Sequence, residues 1–486
     1  MTARPDAASV EAALAAIEAR LGPAAVIRDA MRRAPYEREM RGLYHGSTPA
    51  VVKPASVEEM SFAVSACASR LVPVVPVSGG TGLTGGAIPF GGIVLSSERM
   101  SRIREIDAAN ASMTVEAGCI LRDVQDAAAA EGLLFPLSLP SEGSCRIGGN
   151  LSTNAGGTAV LRYGNARDLV LGIEAVLADG RIWNGLKALR KDNAGYDMKH
   201  LFIGSEGTLG IITAATLKLF PRPARRAVAF CGASSPHSVL KLFERARAAC
   251  GSDLSAFEIL PLFAVEIAVK NVPGNRSPLT EPYPWHALIE LSSPSAGADL
   301  AGALEALLGQ AMEDGLVLDA AIGASEAQNA GIWRLRETIT EAQVPEGGSI
   351  KHDISVPVSK AADFMVAAIA DCERAMPGVR PCAFGHIGDG NIHFNLSQPP
   401  GMARAEFLSR WAMFNTIVHD RVMAMGGSIS AEHGIGLMKR DELVHYKDAV
   451  TIDLMIALKK TLDPLNILNP GKVVRIGDDL PQALPR

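Results

Sequence analysis

The chain has 486 residues, of which 48% are apolar and 20% are charged, a composition typical of a folded protein with two or three domains. Forty-seven Lys and Arg against 52 Asp and Glu give a formal net charge of −5, which argues against nucleic acid or an anionic membrane as the main partner. The seven cysteines include no CxxC pair, which argues against a disulfide scaffold, a zinc ribbon and a four-cysteine iron–sulfur motif.

The N-terminal residues predict no signal peptide, because Asp6 and Glu11 precede any apolar run. No stretch of the sequence approaches the ~18 uninterrupted apolar residues of a membrane span. We therefore expect a cytoplasmic protein without a membrane-spanning segment.

The first half of the chain is predicted to alternate between helices and β-rich runs. An Ala-rich amphipathic helix is predicted over 8–21, and a capping box that starts at Ser56 opens a second helix, which ends near Ser69. A β-rich run follows over 72–77. Further strands are predicted from apolar runs at 93–95, 113–116, 173–177 and 208–219.

Pro221 and Pro223 predict a domain boundary, because two prolines so close together stop any regular element. The predicted elements beyond it are a helix over 236–250, a strand over 286–292, helices over 298–313 and 326–342, a strand over 349–357 and a helix from about 359. This pattern predicts an α+β domain with helices packed on one sheet face. The chain from about residue 402 is predicted to be mainly helical.

A glycine loop over 78–86, SGGTGLTGG, follows the β-rich run. Gly80, Gly82 and Gly85 match the GxGxxG dinucleotide pattern, but a Rossmann loop must open a helix, and this loop leads into another strand. The context therefore excludes a Rossmann fold. Two interpretations remain, namely a nest of backbone N–H groups that binds a pyrophosphate, and a pair of glycine-rich turns that binds nothing.

Two further polar glycine loops lie over 140–157, PSEGSCRIGGNLSTNAGG, and over 204–213, GSEGTLGIIT. The 140–157 loop contains little apolar material to bury, so it is either strongly exposed or occupied by a polar ligand. Three such loops in one domain favour a long bound ligand over three turns that bind nothing.

A β-hairpin is predicted over 385–395, GHIGDGNIHFN, because Asp-Gly at 389–390 is a strong turn signal. His386 lies at one mouth of the turn, so its imidazole can converge with one on the returning strand. Strand alternation after the turn places three polar residues on one face: Asn391, His393 and Asn395.

A carboxylate and a third imidazole, Glu432 and His433, lie in a glycine-flanked loop over 427–434. Together with His386 and His393, Glu432 offers a three-ligand set with open positions, which suits Zn²⁺, Mn²⁺ or Fe²⁺. The alternative is that these are hydrogen-bonded histidines on unrelated loops, since two histidines seven residues apart are a weak metal signature.

The three glycine loops, in their order, resemble the FAD domain of the vanillyl-alcohol oxidase family. This resemblance implies that the first loop holds the FAD pyrophosphate, that the second follows the flavin and that the third lies near the adenosine. FAD is expected to be non-covalent, because the first loop contains no histidine. The FAD-binding residues implied by the resemblance are Ser78, Gly79, Gly80, Thr81, Gly82, Leu83, Gly143, Ser144, Gly148, Asn150, Asn154, Gly156, Glu206, Ile212 and Asn469.

The motifs GHIGDGNIHFN and SISAEHGIG resemble the substrate domain of the FAD-linked D-2-hydroxyacid dehydrogenases of that family, which act on D-lactate, glycolate or D-2-hydroxyglutarate. The resemblance makes His386, His393 and Glu432 the ligands of a divalent metal, with Zn²⁺ as the first choice. It makes His433 the catalytic base.

The resemblance also implies the substrate contacts. Arg336 binds the substrate carboxylate and Asn395 contacts the substrate. Thr340, at i+4 from Arg336 on one helix face, and Lys351 are typical of the D-2-hydroxyglutarate branch, whose substrate has two carboxylates. Taken without the resemblance, these residues are a solvated helix face and an ordinary edge lysine.

The implied architecture is α+β, with a vanillyl-alcohol-oxidase-type FAD-binding domain over 1–222 and an α+β substrate (cap) domain over 223–401. A helical C-terminal segment over 402–486 returns to the FAD site.

The implied activity is metal-assisted, FAD-dependent oxidation of a D-2-hydroxy acid, with D-2-hydroxyglutarate to 2-oxoglutarate as the first choice. D-Lactate or D-malate as substrate, a flavin oxidase that uses O₂, and a flavin-carrying electron-transfer subunit remain alternatives. An electron acceptor such as electron-transfer flavoprotein or a quinone is implied, and a homodimer is the default expectation.

Overall fold

The computed structural model describes residues 6–477, and contacts divide them into two compact units. The first unit comprises the described residues up to Gly157, Gly164–Pro221 and the residues from Glu432. The second unit comprises Thr158–Tyr163 and Arg222–Ala431.

These boundaries differ from the predicted domains at Thr158–Tyr163, which lies within the predicted FAD-binding domain but groups with the second unit, and in the C-terminal segment. Residues 402–431 group with the second unit, whereas the sequence predicts a separate C-terminal segment from 402. The reason is that Phe414, Val418 and Val422 complete the apolar core of the second unit. The ends of the predicted domains, 1–5 and 478–486, lie outside the described residues.

The elements are numbered here in chain order. The α-helices are α1 Ala7–Leu21, α2 Ala30–Arg33, α3 Val57–Ala68, α4 Leu121–Ala130, α5 Ile147–Ser152, α6 Val160–Tyr163, α7 Lys199–Phe202, α8 Pro236–Cys250, α9 Leu262–Asn271, α10 Leu300–Glu313, α11 Glu326–Glu337, α12 Ile339–Ala342, α13 Ala361–Ala375, α14 Arg404–Leu408, α15 Trp411–Ala424, α16 Arg440–Tyr446 and α17 Ala449–Leu462. Within residues 6–477, none of the helices combines the length and the apolar character needed to cross a membrane.

The strands follow the same order. They are β1 Val26–Ile27, β2 Val51–Val52, β3 Val74–Val77, β4 Ile93–Ser96, β5 Ile103–Asp107, β6 Ser112–Glu116, β7 Leu133–Leu134, β8 Val170–Val176, β9 Ile182–Gly185, β10 Ile211–Lys218, β11 Phe220–Pro221, β12 Arg225–Ala233, β13 Leu254–Pro261, β14 Trp285–Ser293, β15 Asp319–Ile322, β16 Ser349–Ser355, β17 Arg380–His386 and β18 Asn391–Ser397.

The described part of the first unit contains a four-stranded sheet in the order β1-β2-β4-β3 and a five-stranded antiparallel sheet in the order β5-β6-β10-β8-β9. The predicted capping box of α3 is confirmed, because the Ser56 hydroxyl accepts the N–H of Glu59 at 3.3 Å. Strands β3 and β4 pair in parallel, and the chain between them, which includes the first glycine loop, contains no α-helix. The exclusion of a Rossmann loop is therefore confirmed.

The second glycine loop is more ordered than the sequence suggests, because α5 forms within it and buries Ile147 and Leu151. Its glycines permit close packing. A Cβ on Gly148 would lie 2.7 Å from the Cβ of Ala117, a distance that side chains do not adopt. The absence of side chains therefore allows this segment to pack against the end of β6.

The second unit is built on a seven-stranded antiparallel sheet in the order β15-β12-β14-β13-β17-β18-β16. Along β12, Ala229 and Cys231 belong to one apolar core, while Val228 and Phe230 belong to another. Helices α8, α10, α13 and α15 contribute to the first core and α9, α11 and α12 to the second. The prediction of helices on one sheet face is therefore wrong, because these strands are apolar on both faces.

Candidate active site

The first glycine loop exposes backbone on one side and packs closely on the other. A Cβ on Gly79 would lie 2.9 Å from the Cα of Cys145, so Gly79 allows the first and second loops to touch. A Cβ on Gly80 or Gly82 would meet nothing within 4 Å. The open space beside Gly80 and Gly82 is a cradle that side chains would fill, which fits the binding of a pyrophosphate by backbone N–H groups.

The polar residues around this cradle attach the first loop to neighbouring parts of the first unit. The Ser78 hydroxyl accepts a hydrogen bond from Ser97 Oγ at 2.9 Å and donates to the Ala117 carbonyl at 3.1 Å. The Leu83 carbonyl accepts a hydrogen bond from Arg41 Nη2. The predicted FAD-binding residue Ser78 therefore also holds the first loop against the sheet.

The second loop brings two predicted residues into defined contacts. The Asn154 side chain accepts the N–H of Arg167 at 2.9 Å, with its own backbone at a φ of +52°. Gly156 lies against Glu432, since a Cβ there would be 2.5 Å from Glu432 Oε1. The predicted metal ligand Glu432 is thus next to a predicted FAD-binding loop, within the first unit.

The third loop is held by its own acidic residue. The carboxylate of Glu206 is buried and accepts the N–H groups of Ile435 at 2.7 Å and Gly436 at 2.9 Å. Burial raises the pKa of Glu206 to about 7, although these two hydrogen bonds lower it. Asn469 Nδ2 donates to the carbonyls of Gly86 and Glu206, both at 2.9 Å. Glu206 and Asn469 therefore join the first loop, the third loop and the segment after His433.

His433 itself belongs to this joined region. Its carbonyl accepts a hydrogen bond from the Thr84 hydroxyl at 3.3 Å, so the backbone of the predicted base is attached to the first glycine loop. Ile212, another predicted FAD contact, is buried in β10.

In the second unit, the predicted hairpin is confirmed. Strands β17 and β18 pair antiparallel, with His386 opposite Asn391, and Gly390 occupies the turn at a φ of +85°, which favours glycine. The imidazole centroids of His386 and His393 are 5.6 Å apart. The structure therefore brings these two predicted ligands together, as the turn signal indicates.

A buried carboxylate that the sequence analysis missed, Glu258 on β13, connects two predicted site residues. Its Oε1 lies 2.6 Å from His386 Nδ1, and its Oε2 accepts a hydrogen bond from Arg336 Nε at 2.6 Å. Burial alone would raise the pKa of Glu258, but the charges of His386 and Arg336 lower it to about 2. Glu258 is therefore ionised, and His386 donates from Nδ1.

Arg336 is only 7% exposed, and its guanidinium lies 4.7 Å from the ring centroid of Phe384. Its Nη2 is buried and has no hydrogen-bond partner among the described residues. An unsatisfied N–H group of a buried guanidinium is costly, unless a ligand supplies the acceptor. The buried Nη2 atom of Arg336 therefore indicates that this side chain binds an anionic ligand.

Lys351 and Asn395 are direct partners in the β16–β18 ladder, so both predicted substrate residues lie at one place in the sheet. Asn395 Nδ2 donates to Gln343 Oε1 at 2.8 Å. Gln343 is buried, and the sequence analysis missed it because no motif distinguishes it.

The helix predicted over 326–342 is present, but it is interrupted at one residue. The chain leaves the helix at Thr338, whose hydroxyl and N–H both donate to the Arg334 carbonyl, and α12 begins at the next residue. Thr340 is exposed whereas Arg336 is buried, so the two do not share a buried face.

His393, another predicted ligand, has an acidic side chain as a near neighbour. His393 Nδ1 lies 3.8 Å from Asp353 Oδ1 on the adjacent strand. The N–H of Ala431 donates to the Asp353 carbonyl at 3.4 Å, and Glu432 is the next residue in the chain.

Two family models match the chain. Residues 48–185 match the FAD binding domain, and residues 222–473 match the C-terminal domain of FAD linked oxidases. The chain belongs to the FAD-linked oxidase family. It is an FAD-dependent oxidoreductase, which confirms the expectation of FAD.

Curated relatives support the same conclusion along most of the chain. A protein of Oryza sativa subsp. indica, named a probable mitochondrial D-2-hydroxyglutarate dehydrogenase, is 40% identical over 93% of this chain and 80% of its own length. A D-2-hydroxyglutarate dehydrogenase of Xanthomonas citri pv. viticola is 38% identical over 93% of this chain and 94% of its own.

Among solved structures, p-cresol methylhydroxylase with bound substrate matches with a TM-score of 0.78 and 18% identity, over 98% of this chain and 99% of that chain. This similarity confirms the predicted vanillyl-alcohol-oxidase-type fold.

The expectation of a cytoplasmic protein is wrong. The rice relative and the other eukaryotic relatives are named as mitochondrial proteins, which conflicts with it. The expectation came only from missing N-terminal and membrane signals, which are weak grounds for a compartment.

Proposed function

We propose that the chain oxidises D-2-hydroxyglutarate to 2-oxoglutarate. The observation that carries the proposal is that the buried guanidinium of Arg336 has no acceptor for its Nη2 among the described residues and is connected to the His386 imidazole through Glu258. The names of the rice and Xanthomonas relatives support this substrate. Bound FAD supplies the acceptor for the hydride that leaves the substrate's hydroxyl-bearing carbon.

Arg336 binds the carboxylate next to the hydroxyl group. Its Nε is engaged by Glu258, which leaves the Nη atoms for the substrate. Lys351 binds the second carboxylate as a point charge, since a dianion needs a second cation. Its ladder partner Asn395 contacts the substrate, and Gln343 orients that side-chain amide. Thr340 is the fourth proposed substrate contact.

A divalent metal, with Zn²⁺ as the first candidate, is held by His386, His393 and Glu432. Two imidazoles and a carboxylate are a donor set that suits such an ion. His386 uses Nδ1 for Glu258 and so presents Nε2 as the ligand atom, an arrangement common among metal-binding histidines. The ion supplies a Lewis acid that lowers the pKa of the substrate hydroxyl.

His433 accepts the hydroxyl proton on its imidazole. An imidazole is suited to this role because it is neutral and basic near pH 7. The hydrogen bond from Thr84 to the His433 carbonyl holds the backbone at this residue.

The first unit binds FAD non-covalently and the second binds the substrate. The proposed FAD contacts are the residues expected from the sequence, with Gly80 and Gly82 forming the cradle. The electrons then pass to an acceptor such as electron-transfer flavoprotein or a quinone. We also propose that the chain forms a homodimer.

The test is anaerobic bleaching of the flavin absorbance of the holoenzyme by D-2-hydroxyglutarate, L-2-hydroxyglutarate, D-malate and D-lactate in parallel. We expect D-2-hydroxyglutarate to bleach fastest and the L-enantiomer to fail. If only D-lactate or D-malate bleaches, the proposed substrate is wrong. If none of them bleaches an intact flavin, the class of substrate is wrong.

A further inference from the structure

We propose that Glu258 is a positioning residue that holds Arg336 and His386 at one spacing and thereby selects hydroxy acids whose hydroxyl group is on the carbon next to the carboxylate. This inference rests on the proposed function, in which Arg336 binds that carboxylate and His386 is a ligand of the metal that would bind the hydroxyl.

The three side chains are buried together in the second unit. Glu258 is fully buried on β13, and Arg336 and His386 are each 7% exposed. They come from three elements, since Arg336 is on α11 and His386 ends β17, which is hydrogen-bonded to β13. Glu258 and His386 are neighbours across the paired strands β13 and β17, so the strand pairing fixes their relative position.

Each oxygen of Glu258 has a different partner, at 2.6 Å from His386 Nδ1 and 2.6 Å from Arg336 Nε. The two oxygens of a carboxylate are rigidly connected, so one partner cannot shift without disturbing the other. Charge-assisted hydrogen bonds of this kind are short and strongly oriented. One side chain therefore determines the orientation of both site residues.

Each partner presents a different atom away from Glu258. Arg336 has Nη2 without a partner among the described residues, and His386 has Nε2 on the opposite side of its ring from Nδ1. In a 2-hydroxy acid, the hydroxyl carbon is bonded directly to the carboxyl carbon, whereas a 3-hydroxy acid has one more carbon between them. A fixed spacing between Nη2 and Nε2 therefore distinguishes these two classes.

A purely structural role makes a different prediction. If Glu258 has only a structural or charge-balancing role, its replacement changes the binding of all carboxylates by the same factor. A positioning role weakens the binding of an acid with its oxygen substituent on C2 more than that of a 3-hydroxy acid, because the 3-hydroxy acid never used the fixed spacing.

The test compares the holoenzyme with its Glu258→Gln variant. Glutamine keeps the size, but its NH₂ group would face a donor, either Arg336 Nε or His386 Nδ1, so one of the two contacts is lost. Equilibrium binding of 2-oxoglutarate and of 3-hydroxyglutarate is measured by calorimetry, and KM and kcat are measured with D-2-hydroxyglutarate. We expect Glu258→Gln to weaken 2-oxoglutarate binding by about 10- to 100-fold and to reduce its preference over 3-hydroxyglutarate by a similar factor.

Glu290→Gln is the matched control. Glu290 lies on β14 of the same sheet and also pairs with an arginine, Arg226, at 2.5 Å. It accepts a hydrogen bond from Trp333 on α11 at 2.7 Å. Its hydrogen bonds and ion pair among the described residues involve no proposed site residue. Both ligands should bind this variant as they bind the wild type.

An unchanged preference in Glu258→Gln, or an equal loss for both ligands, would overturn the positioning role. If Glu258→Gln does not fold, Glu258→Asp decides, because it keeps the charge but is too short to reach both partners; wild-type preference in that variant also overturns the role. Failure of the wild type to oxidise D-2-hydroxyglutarate would instead overturn the proposed function, so the two failures are distinguishable.

Discussion

The two candidate sites differ in the chemical groups that form them, which are backbone groups in one and charged side chains in the other. In the first unit, the cradle at Gly80 and Gly82 is open backbone, and the polar side chains around it attach the first loop to neighbouring parts of the unit. In the second unit, the site is a set of buried charged side chains, with Glu258 between Arg336 and His386. A backbone site tolerates changes of side chain as long as the glycines remain, whereas a side-chain site depends on each charge having its partner.

This contrast predicts that the largest single effect comes from the second unit. Arg336→Met should lower kcat/KM for D-2-hydroxyglutarate by about a thousandfold, because it removes the carboxylate partner and leaves Glu258 buried without its arginine. FAD content, measured from the flavin absorbance, should remain that of the wild type. Arg226→Met, which removes the arginine beside Glu290, is the control. Loss of FAD from Arg336→Met would contradict the assignment of Arg336 to substrate binding alone.

The next largest effect is expected at Lys351, and it tests whether this residue contacts the second carboxylate of the substrate. Lys351→Met should lower kcat/KM for D-2-hydroxyglutarate by about 10- to 100-fold, the cost of one hydrogen bond to a charged group. D-Lactate has no second carboxylate, so its kcat/KM should not change. Steady-state kinetics with both substrates provides the measurement, and an equal loss on both would exclude Lys351 as the second-carboxylate contact.

The backbone site should respond to a single methyl group. Gly80 has a φ of +65°, so Gly80→Ala adds strain and also fills the cradle, and we expect the Kd for FAD to rise about 10-fold. Gly132→Ala is the matched control, since Gly132 has a φ of +71°, also faces open space and follows α4. Both variants should lose similar thermal stability, but only Gly80→Ala should lose FAD on titration of the apoprotein. Equal FAD affinity in the two variants would remove the cradle from the FAD site.

The smallest expected effect is on folding stability and comes from Glu206, whose carboxylate joins the third glycine loop to the segment after His433. Its folded pKa of about 7 exceeds the ordinary value of 4.5, so between these pH values the folded protein holds a proton that the unfolded chain has released. Stability from this group is therefore complete below pH 4.5 and is lost as the pH rises through 7, by at most ~1.4 kcal/mol per pH unit.

Glu206→Gln removes this titration. We expect the Tm of the variant to decrease less than that of the wild type between about pH 5 and about pH 8. Melting curves of both proteins across this range provide the measurement. Parallel pH profiles would show that Glu206 does not titrate there.

Local signals predicted local structure well. The capping box at Ser56 and the Asp-Gly turn of the β17–β18 hairpin are both confirmed, because each depends on neighbouring residues alone. Glu258 was missed for the opposite reason. It lies in an apolar strand, and its two partners are 78 and 128 residues away in the chain. The break at Thr338 was missed because the periodicity of the flanking residues continues through it.

The amino-acid sequence by itself determined which residue types are available for each site, because glycine loops and a hairpin with two histidines are patterns of near neighbours. The resemblance of these patterns to the vanillyl-alcohol oxidase family then implied FAD. Only the tertiary structure decided which charges meet. The antiparallel order of β13, β17 and β18 brings Glu258 beside His386, and the packing of α11 adds Arg336. A carboxylate inside an apolar strand is stable only once its two hydrogen-bond partners reach it, and their position depends on the whole sheet.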